Sequence, residues 1–168
     1  MTWDQIIQAA ADNGGTVAVQ ANKYEGYSVW INALIAGAGG DIATETEKGV
    51  DAQIDIASDA GLEAARVIED LAASDAAPPD LSVSNEGTAG ASFGGDSGSF
   101  LVNWTYIWGN YGDDRLGDDI GFARYPQTVE GEESRPPYGG IGIGVSSASD
   151  NEEESIAALE CLTSPENQ

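Results

Sequence analysis

Basic residues are scarce in this 168-residue sequence, which has 29 aspartates and glutamates but only six lysines and arginines and no histidine. The formal charge of −23 lies far outside the magnitude of about 2 to 8 that is usual for a small soluble domain. Such a surface repels phosphate, so neither nucleic acid nor an anionic membrane is expected as a partner. The composition suits a salt-tolerant or secreted protein and identifies no ligand.

The absence of histidine decides the interpretation of Gly95-Asp96-Ser97-Gly98, a tetrapeptide that surrounds the nucleophile in many trypsin-like proteases. A serine hydroxyl attacks only when a base removes its proton, and that base is normally an imidazole. Lysine is the known substitute, but Lys23 and Lys48 lie far away in sequence and nothing marks either as desolvated. The protease interpretation is therefore excluded.

The single cysteine, Cys161, excludes an internal disulfide. It lies in "SIAALECL", a predicted helix whose apolar residues include Ile156, Leu159 and Leu162. We expect Cys161 to be buried there as a small hydrophobic residue. No cationic neighbour is visible that would make it a reactive thiolate.

The length fits one domain, residues 1–168, which is large enough to bury roughly 70% of its unfolded surface. The sequence contains no apolar run of 18 residues and no recognisable signal peptide. We therefore expect either a cytoplasmic protein or a piece of a longer one.

Helical and strand patterns alternate along the chain, which is typical of an α/β layered fold. A hairpin is predicted within residues 41–56, with its turn at Lys48-Gly49. Thr2 and Gln5 have the spacing of a capping box, and Ser58-Asp59 is predicted to cap a helix. Helices are predicted from Thr2 to Asn13, over 26–38, from Asp59 to the stop at 76–80, over 84–91, at 105–112 and from Asp150 onward, and strands over 16–20, 99–104, 120–126 and 139–146.

Three further motifs are weak evidence for chemistry. "GGIGIG" (139–144) does not match a dinucleotide fingerprint, because no helix follows until Asp150; a glycine-lined strand with a closely packed neighbour is the better account. Asp113-Asp114 or Asp118-Asp119 could ligate calcium, but their spacing matches no dedicated loop and solvated turns are expected. A carboxylate pair for glycoside hydrolysis is nearly unavoidable by chance among 29 acids.

The aromatic residues carry more information. Tyr24 falls at a loop end and Trp104 at a strand end, where folds present side chains to ligands. Aromatic faces stack on sugar rings, while groups such as Glu25 and Asn103 bond the hydroxyls. For Tyr24 and Trp104 the pattern leaves core and ligand contact equally open. Trp30 and Trp108 keep helical register with apolar neighbours and are expected in the core.

Four stretches, taken in order, resemble the extracellular solute-binding proteins of carbohydrate ABC importers of the maltose and trehalose type. They are "TWDQIIQAA", "VQANKYEGYSVWINALIAGAGG", "FLVNWTYIW" and "GGIGIGVSSASDNEEESIAALECLTSPENQ". The second is most similar to the trehalose-recycling lipoproteins of actinobacteria. The resemblance implies that this chain is the second lobe of a two-lobe protein with a type II periplasmic-binding-protein fold, in which a small mixed sheet is flanked by helices. It also implies that Ser97 is a turn residue.

The same resemblance implies roles for individual residues. Tyr24 and Glu25 match the ligand-facing turn, and Asn103 and Trp104 match the strand end that carries an aromatic platform. Gly139 and Gly140 match a pair whose backbone approaches the sugar, and Ile141 replaces the aromatic residue that often follows them. Thr105 replaces a proline of the family pattern. Both departures bear on which sugar is bound.

The resemblance therefore predicts a binding protein without catalysis and without a cofactor or metal. A disaccharide is the ligand, and the full-length protein delivers it to ABC permease subunits from an extracellular, cell-surface or periplasmic location. This chain itself is not expected to insert into the membrane. Two alternatives stay open: a secreted acidic glycoside hydrolase that uses an Asp/Glu pair, and a surface module that binds a protein partner through its aromatic residues.

The charge balance yields a first testable prediction, that added sodium chloride stabilises the fold. Raising salt from about 0.01 M to 1 M shortens the Debye length from about 30 Å to about 3 Å and screens the repulsion among the carboxylates. We expect the melting temperature to rise by about 5 °C or more, as followed by circular dichroism. A melting temperature that stays constant or falls would show that this repulsion does not limit stability.

Overall fold

The computed structural model describes residues 1–111 and 119–167. Backbone contacts divide the chain into two units, Met1–Pro137 and Tyr138–Gln168. In order, the regular elements are α1 (Trp3–Asp12), β1 (Thr16–Ala18), α2 (Glu25–Gly37), β2 (Ala43–Thr44), β3 (Gln53–Ile54), α3 (Asp59–Ala73), α4 (Glu86–Phe93), β4 (Gly98–Leu101), α5 (Ile107–Tyr111) and α6 (Glu152–Thr163), with single 3₁₀ segments at Thr46–Asp51, Leu81–Val83 and Pro165–Asn167. The mixture of helices and small sheets confirms the predicted α/β class.

Helix starts follow local capping chemistry. Thr2 and Gln5 form the predicted capping box: the Gln5 amide donates to Thr2 Oγ1 at 3.2 Å and the Thr2 amide to Gln5 Oε1 at 2.9 Å. Ser58 caps α3 as predicted, accepting from the Gly61 amide at 3.4 Å. The cap of α4 is Asn85 rather than Ser84, because the Asn85 side chain accepts from the first-turn amides.

The central sheet is a parallel pair, β1 with β4. Val17 lies opposite Phe100 and Ala18 opposite Leu101, and the Val102 amide extends the ladder by donating to the Ala18 carbonyl at 3.0 Å. The predicted hairpin is also present: β2 and β3 pair antiparallel, and Gly49 in the connection has a φ of 62°. That left-handed conformation favours glycine.

Ser97 lies in the tight turn between α4 and β4, which confirms its assignment as a turn residue. Its carbonyl accepts a hydrogen bond from the Thr16 amide at 2.8 Å and so connects the turn to β1. A Cβ on Gly98 would overlap the Phe93 carbonyl, and one on Gly15 would overlap the Ser99 side chain. Glycine is therefore required at position 98 for steric reasons, whereas a side chain at position 15, between α1 and β1, would require the Ser99 side chain to move.

The core lies among α1, β1, α2 and α3 and is centred on two tryptophans. The Trp3 and Trp30 ring centroids are 5.5 Å apart, and Tyr125 meets Trp3 edge-on at 5.8 Å. Burial raises the pKa of the Tyr125 hydroxyl. The expectation that Trp30 is a core residue is confirmed. The surrounding buried aliphatic residues are Ile6, Ile7, Val17, Val19, Leu34, Ile35, Val67 and Leu71.

Two predicted strands are wrong. Residues 120–126 form no strand, and the neighbouring Gln127 makes only an isolated bridge with Thr2. Residues 139–146 are also irregular, and a Cβ on Gly140, Gly142 or Gly144 would meet no atom within 4 Å. An alternating sequence is compatible with an extended backbone. A β-strand also needs a neighbouring strand whose backbone N–H and C=O groups are free to pair, and the sequence of one segment does not reveal such a neighbour.

Two burial predictions are also wrong. Trp108 is 44% exposed and contacts only Phe122 among ring partners in the described residues, and Phe122 is itself 90% exposed. Cys161 is exposed on α6, a helix with no buried residue. Helical register identifies an apolar face, but burial requires a second element against it, and α6 is the one α-helix among the described residues of its unit.

Arg66 connects α1 to α3 through a cluster of ion pairs. Its guanidinium contacts Glu63 at 2.7 Å and Asp70 at 2.5 Å on α3, and Asp4 at 3.1 Å on α1. Glu63 and Asp4 raise the pKa of Arg66, so the guanidinium stays charged. In a chain with so few cations, this arginine offsets repulsion among three carboxylates.

The Arg66 cluster predicts unequal effects for two substitutions that remove one positive charge each. Arg66→Met should lower the free energy of unfolding by about 1 kcal/mol, because three carboxylates are left facing one another. Solvent screening keeps this loss small. Lys48→Met removes an exposed ion pair with Glu45 and should change the free energy of unfolding by less than about 0.5 kcal/mol. Urea unfolding at low salt measures both, and equal effects would show that the cluster adds nothing beyond net charge.

Candidate functional site

The carboxyl ends of β1 and β4 meet at one edge of the parallel pair, referred to below as the carboxyl edge. In open α/β sheets, ligands bind in the crevice outside the carboxyl ends of the strands. The chain leaves β1 through Gln20 and Tyr24 into α2, and leaves β4 through Asn103 and Trp104. Residues that the sequence predicts as ligand contacts therefore follow both strands at the same edge.

Buried polar groups hold the loop after β1 in place. Gln20 Nε2 donates to the Val102 carbonyl at 2.7 Å, which connects the ends of the two strands. Ser84 Oγ, which is buried, donates to the Val19 carbonyl at 2.5 Å and accepts from the Ala21 amide at 3.3 Å. Each of these bonds joins segments more than 60 residues apart in sequence. The loop that carries Tyr24 thus has a defined path.

Tyr24 sits at the start of α2 with its ring against Gly26. A Cβ on Gly26 would clash with the Tyr24 Cζ and hydroxyl, so glycine is required beneath this ring. The ring is partly exposed, whereas the hydroxyl oxygen is buried and forms no hydrogen bond with any described residue. Glu25, the next residue, is exposed in the first turn of α2.

Glu86, the first residue of α4, is the polar group that most affects Tyr24. Desolvation raises the pKa of the Tyr24 hydroxyl, and the neighbouring Glu86 raises it further, with a small contribution from Tyr106. Because the pKa shift is upward, the Tyr24 hydroxyl keeps its proton at neutral pH.

On the β4 side, the Asn103 side chain joins two segments through a pair of hydrogen bonds, referred to below as the Asn103 bracket. Its Nδ2 donates to the Glu86 carbonyl at 2.9 Å, and its Oδ1 accepts from the Trp104 amide at 2.8 Å. The side chain thereby connects the end of β4 to the first turn of α4 and orients the backbone of Trp104. Trp104 itself is half-buried, so part of its ring is available for contact.

The structure brings Tyr24, Asn103 and Trp104 to the carboxyl edge, with Glu25 exposed beside Tyr24. Gly139, Gly140 and Ile141 belong to the second unit, where all three are exposed and Ile141 is 98% accessible. Their role in ligand binding stays a prediction. Sequence reasoning missed Glu86, although its position after the Asn85 cap of a helix that precedes β4 was a usable indication.

No cluster of potential metal ligands occurs among the described residues. Of the carboxylates considered for calcium, Asp113, Asp114 and Asp118 lie outside the described residues, and Asp119 is exposed. Surface hollows of about 310 and 430 Å³ occur next to α6 and around Tyr125, respectively, and neither is lined by Tyr24, Asn103 or Trp104. None of the helices described is both long and apolar enough to cross a membrane.

Comparisons with known proteins bear on the family and the fold. The sequence profile of the family described as bacterial extracellular solute-binding protein matches residues 1–168. The maltose-bound MalE3 of T. maritima superimposes with a TM-score of 0.64 over 75% of this chain, at 23% sequence identity. This likeness confirms the predicted lobe fold of such proteins. The chain covers 33% of the length of that structure.

The Asn103 bracket predicts that the conservative substitution Asn103→Asp is destabilising. The new carboxylate keeps the bond from the Trp104 amide but faces the Glu86 carbonyl with an acceptor instead of a donor. We expect a loss of about 1–3 kcal/mol in the free energy of unfolding, measured with urea.

Asn32→Asp is the matched control, because Asn32 lies mid-helix in α2 without a side-chain hydrogen bond to the described residues. Asn32→Asp should lower the free energy of unfolding by less than about 0.5 kcal/mol. Equal losses in the two variants would mean that the added negative charge, not the bracket, is responsible.

Proposed function

Because the chain belongs to the bacterial extracellular solute-binding protein family, we propose that it is one lobe of a two-lobe receptor that captures a carbohydrate for an ABC importer. The ligand is a disaccharide such as maltose or trehalose. The family consists of binding proteins, which favours capture without catalysis over the glycoside hydrolase alternative.

The convergence of aromatic and polar side chains at the carboxyl edge is the observation that carries this proposal. Tyr24 and Trp104 are each partly exposed, on the segments that follow two adjacent parallel strands. Aromatic faces and a small number of polar groups are what sugar recognition requires. The maltose ligand of MalE3, which shares the fold, supports the same class of ligand.

In the proposed mechanism the sugar stacks on Trp104 and Tyr24, and Glu25 and Asn103 bond its hydroxyls. The resemblance assigns further contacts to Gly139, Gly140 and Ile141. Binding stabilises a closed arrangement of two lobes, which is the form delivered to the permease subunits. The full-length protein works outside the cytoplasmic membrane, where the ligand is first met.

A single lobe should bind weakly. A complete receptor with a dissociation constant of about 1 μM has a binding free energy of about −8 kcal/mol. A lobe that makes half of the contacts would have about −4 kcal/mol, which corresponds to a dissociation constant near 1 mM. The isolated chain should therefore show measurable contact with sugar only at millimolar concentrations.

Titration with maltose and trehalose, followed by NMR of the indole N–H groups, tests the proposal. Of the four tryptophans, Trp3 and Trp30 are buried and should not respond. The Trp104 resonance should shift with a dissociation constant of about 1 mM or weaker. Trp104→Ala, followed through backbone amide resonances because its indole is gone, should weaken binding about tenfold, as expected for a lost stacking partner.

Trp108→Ala is the control, since Trp108 is also partly exposed but lies in α5 against Phe122. It should leave the affinity unchanged. Saturation at micromolar sugar would overturn the single-lobe interpretation. No saturable shift at about 100 mM of either sugar, far above the expected constant, would overturn sugar binding itself.

A further inference from the structure

The outer surface of α5 exposes an aromatic pair that the candidate site does not use. Trp108 is 44% exposed and Phe122 is 90% exposed, and their ring centroids are 5.7 Å apart with an interplanar angle of 89°. These two rings are referred to below as the aromatic corner. In a perpendicular contact, the ring that presents its edge keeps both of its faces free of the other ring. The aromatic corner therefore offers open π faces to a partner.

Packing against α4 holds α5 in this orientation. Ile107 and Tyr111 are four residues apart and share one face of the short helix. A Cβ on Gly90 would lie 2.8 Å from Ile107 Cδ1, so this side chain packs directly on α4. A Cβ on Gly94 would lie 3.0 Å from Tyr111 Cε1, and Tyr111 is buried. Trp108 lies outside the packed face, and an anchored helix that presents it loses little conformational entropy on binding.

The charge around the aromatic corner favours a cation. The faces of aromatic rings carry the negative part of their quadrupole and attract ammonium and guanidinium groups. The sequence between the two rings, residues 109–121, contains four aspartates and one arginine, and the whole chain has a charge of −23. Arg124, although close to Phe122 in sequence, lines the hollow around Tyr125, which includes neither ring of the corner. A positively charged partner is therefore attracted, whereas a second copy of this chain is repelled.

The shape of the surface favours a protein segment over a small molecule. Small ligands bind in concave pockets, and neither of the two hollows described above is lined by Trp108 or Phe122. Tryptophan and arginine are enriched where proteins meet. Among the cationic side chains, arginine stacks best on an aromatic face, because its guanidinium is planar and weakly hydrated.

We propose that the aromatic corner is a docking point for a protein partner, whose arginine side chain lies against the ring faces of Trp108 and Phe122. The acidic surroundings attract the basic segment, and the two rings bind its guanidinium. This interaction is separate from sugar capture at the carboxyl edge, so either can fail without the other.

The probe is a synthetic peptide, Leu-Arg-Leu-Arg-Leu, which is acetylated and amidated so that the arginines carry its only charges. Its binding to the 168-residue chain is followed at low salt through backbone amide resonances. The amides around Trp108 should show a saturable shift. Citrulline keeps the planar shape of arginine without its charge, so replacing both arginines by citrulline should weaken binding about tenfold.

Two substitutions test the rings themselves. Trp108→Leu keeps an apolar side chain but removes the larger π face, so it should weaken binding of the arginine peptide about fivefold. Phe122→Leu should weaken it about threefold. Tyr138→Leu is the matched control, because Tyr138 is equally accessible but belongs to the second unit. It leaves the net charge unchanged and should alter the affinity less than about twofold.

Several results would contradict the docking proposal. Equal binding of the arginine and citrulline peptides would show that the charge is not recognised, and no saturable shift at about 10 mM peptide would show that nothing docks. Equal losses in Trp108→Leu and Tyr138→Leu would mean that binding is general attraction to an acidic chain. A gain in affinity of about tenfold in Arg115→Gln would show that the chain's own arginine occupies the rings. Self-association that Trp108→Leu abolishes, measured by sedimentation, would assign the surface to a second copy instead.

Discussion

The parallel pairing of β1 with β4 is the constraint on which the candidate site depends. The paired residues are distant in sequence, for example Thr16 and Gly98, which lie 82 positions apart, so nothing local brings the carboxyl ends of the strands together. Backbone bonds set the register, and the Gln20 side chain extends the pairing beyond the strands through its 2.7 Å bond to the Val102 carbonyl. Because parallel strands end at the same edge, this one pairing places Tyr24 beside the segment that holds Asn103 and Trp104.

Polar side chains at this edge divide into two groups with different tasks. One group forms hydrogen bonds with carbonyl and amide groups of the protein and consists of Gln20, Ser84 and Asn103. Glu86 and the Tyr24 hydroxyl retain unused capacity among the described residues. The first group gives the loops defined positions. The second group can respond to a ligand, and so can the second Nδ2 hydrogen of Asn103. A site built this way loses little conformational entropy when it binds, since its framework is already ordered.

Features that depend on neighbouring residues were predictable from the sequence. The Thr2 capping box, the Ser58 cap and the hairpin around Gly49 all follow from chemistry within a few residues. Features that depend on a distant partner were not. Trp108 and Cys161 have helical register but no element to cover them among the described residues, and 139–146 alternates without a strand to pair with. For the candidate site, the family resemblance pointed to Tyr24 and Trp104, whereas the position of Glu86 follows from the hydrogen bond that Asn103 Nδ2 donates to its carbonyl.

The excess of carboxylates and the choice of ligand are physically related. The carboxyl edge carries Glu25 and Glu86 beside the exposed Lys23, and the surrounding charge of −23 discourages the approach of an anion. A neutral sugar avoids this repulsion, because it presents hydroxyl donors to the carboxylates and C–H faces to the exposed rings. Stacking is insensitive to salt, unlike attraction between charges. A strongly acidic protein therefore gains from a ligand whose recognition does not depend on opposite charge.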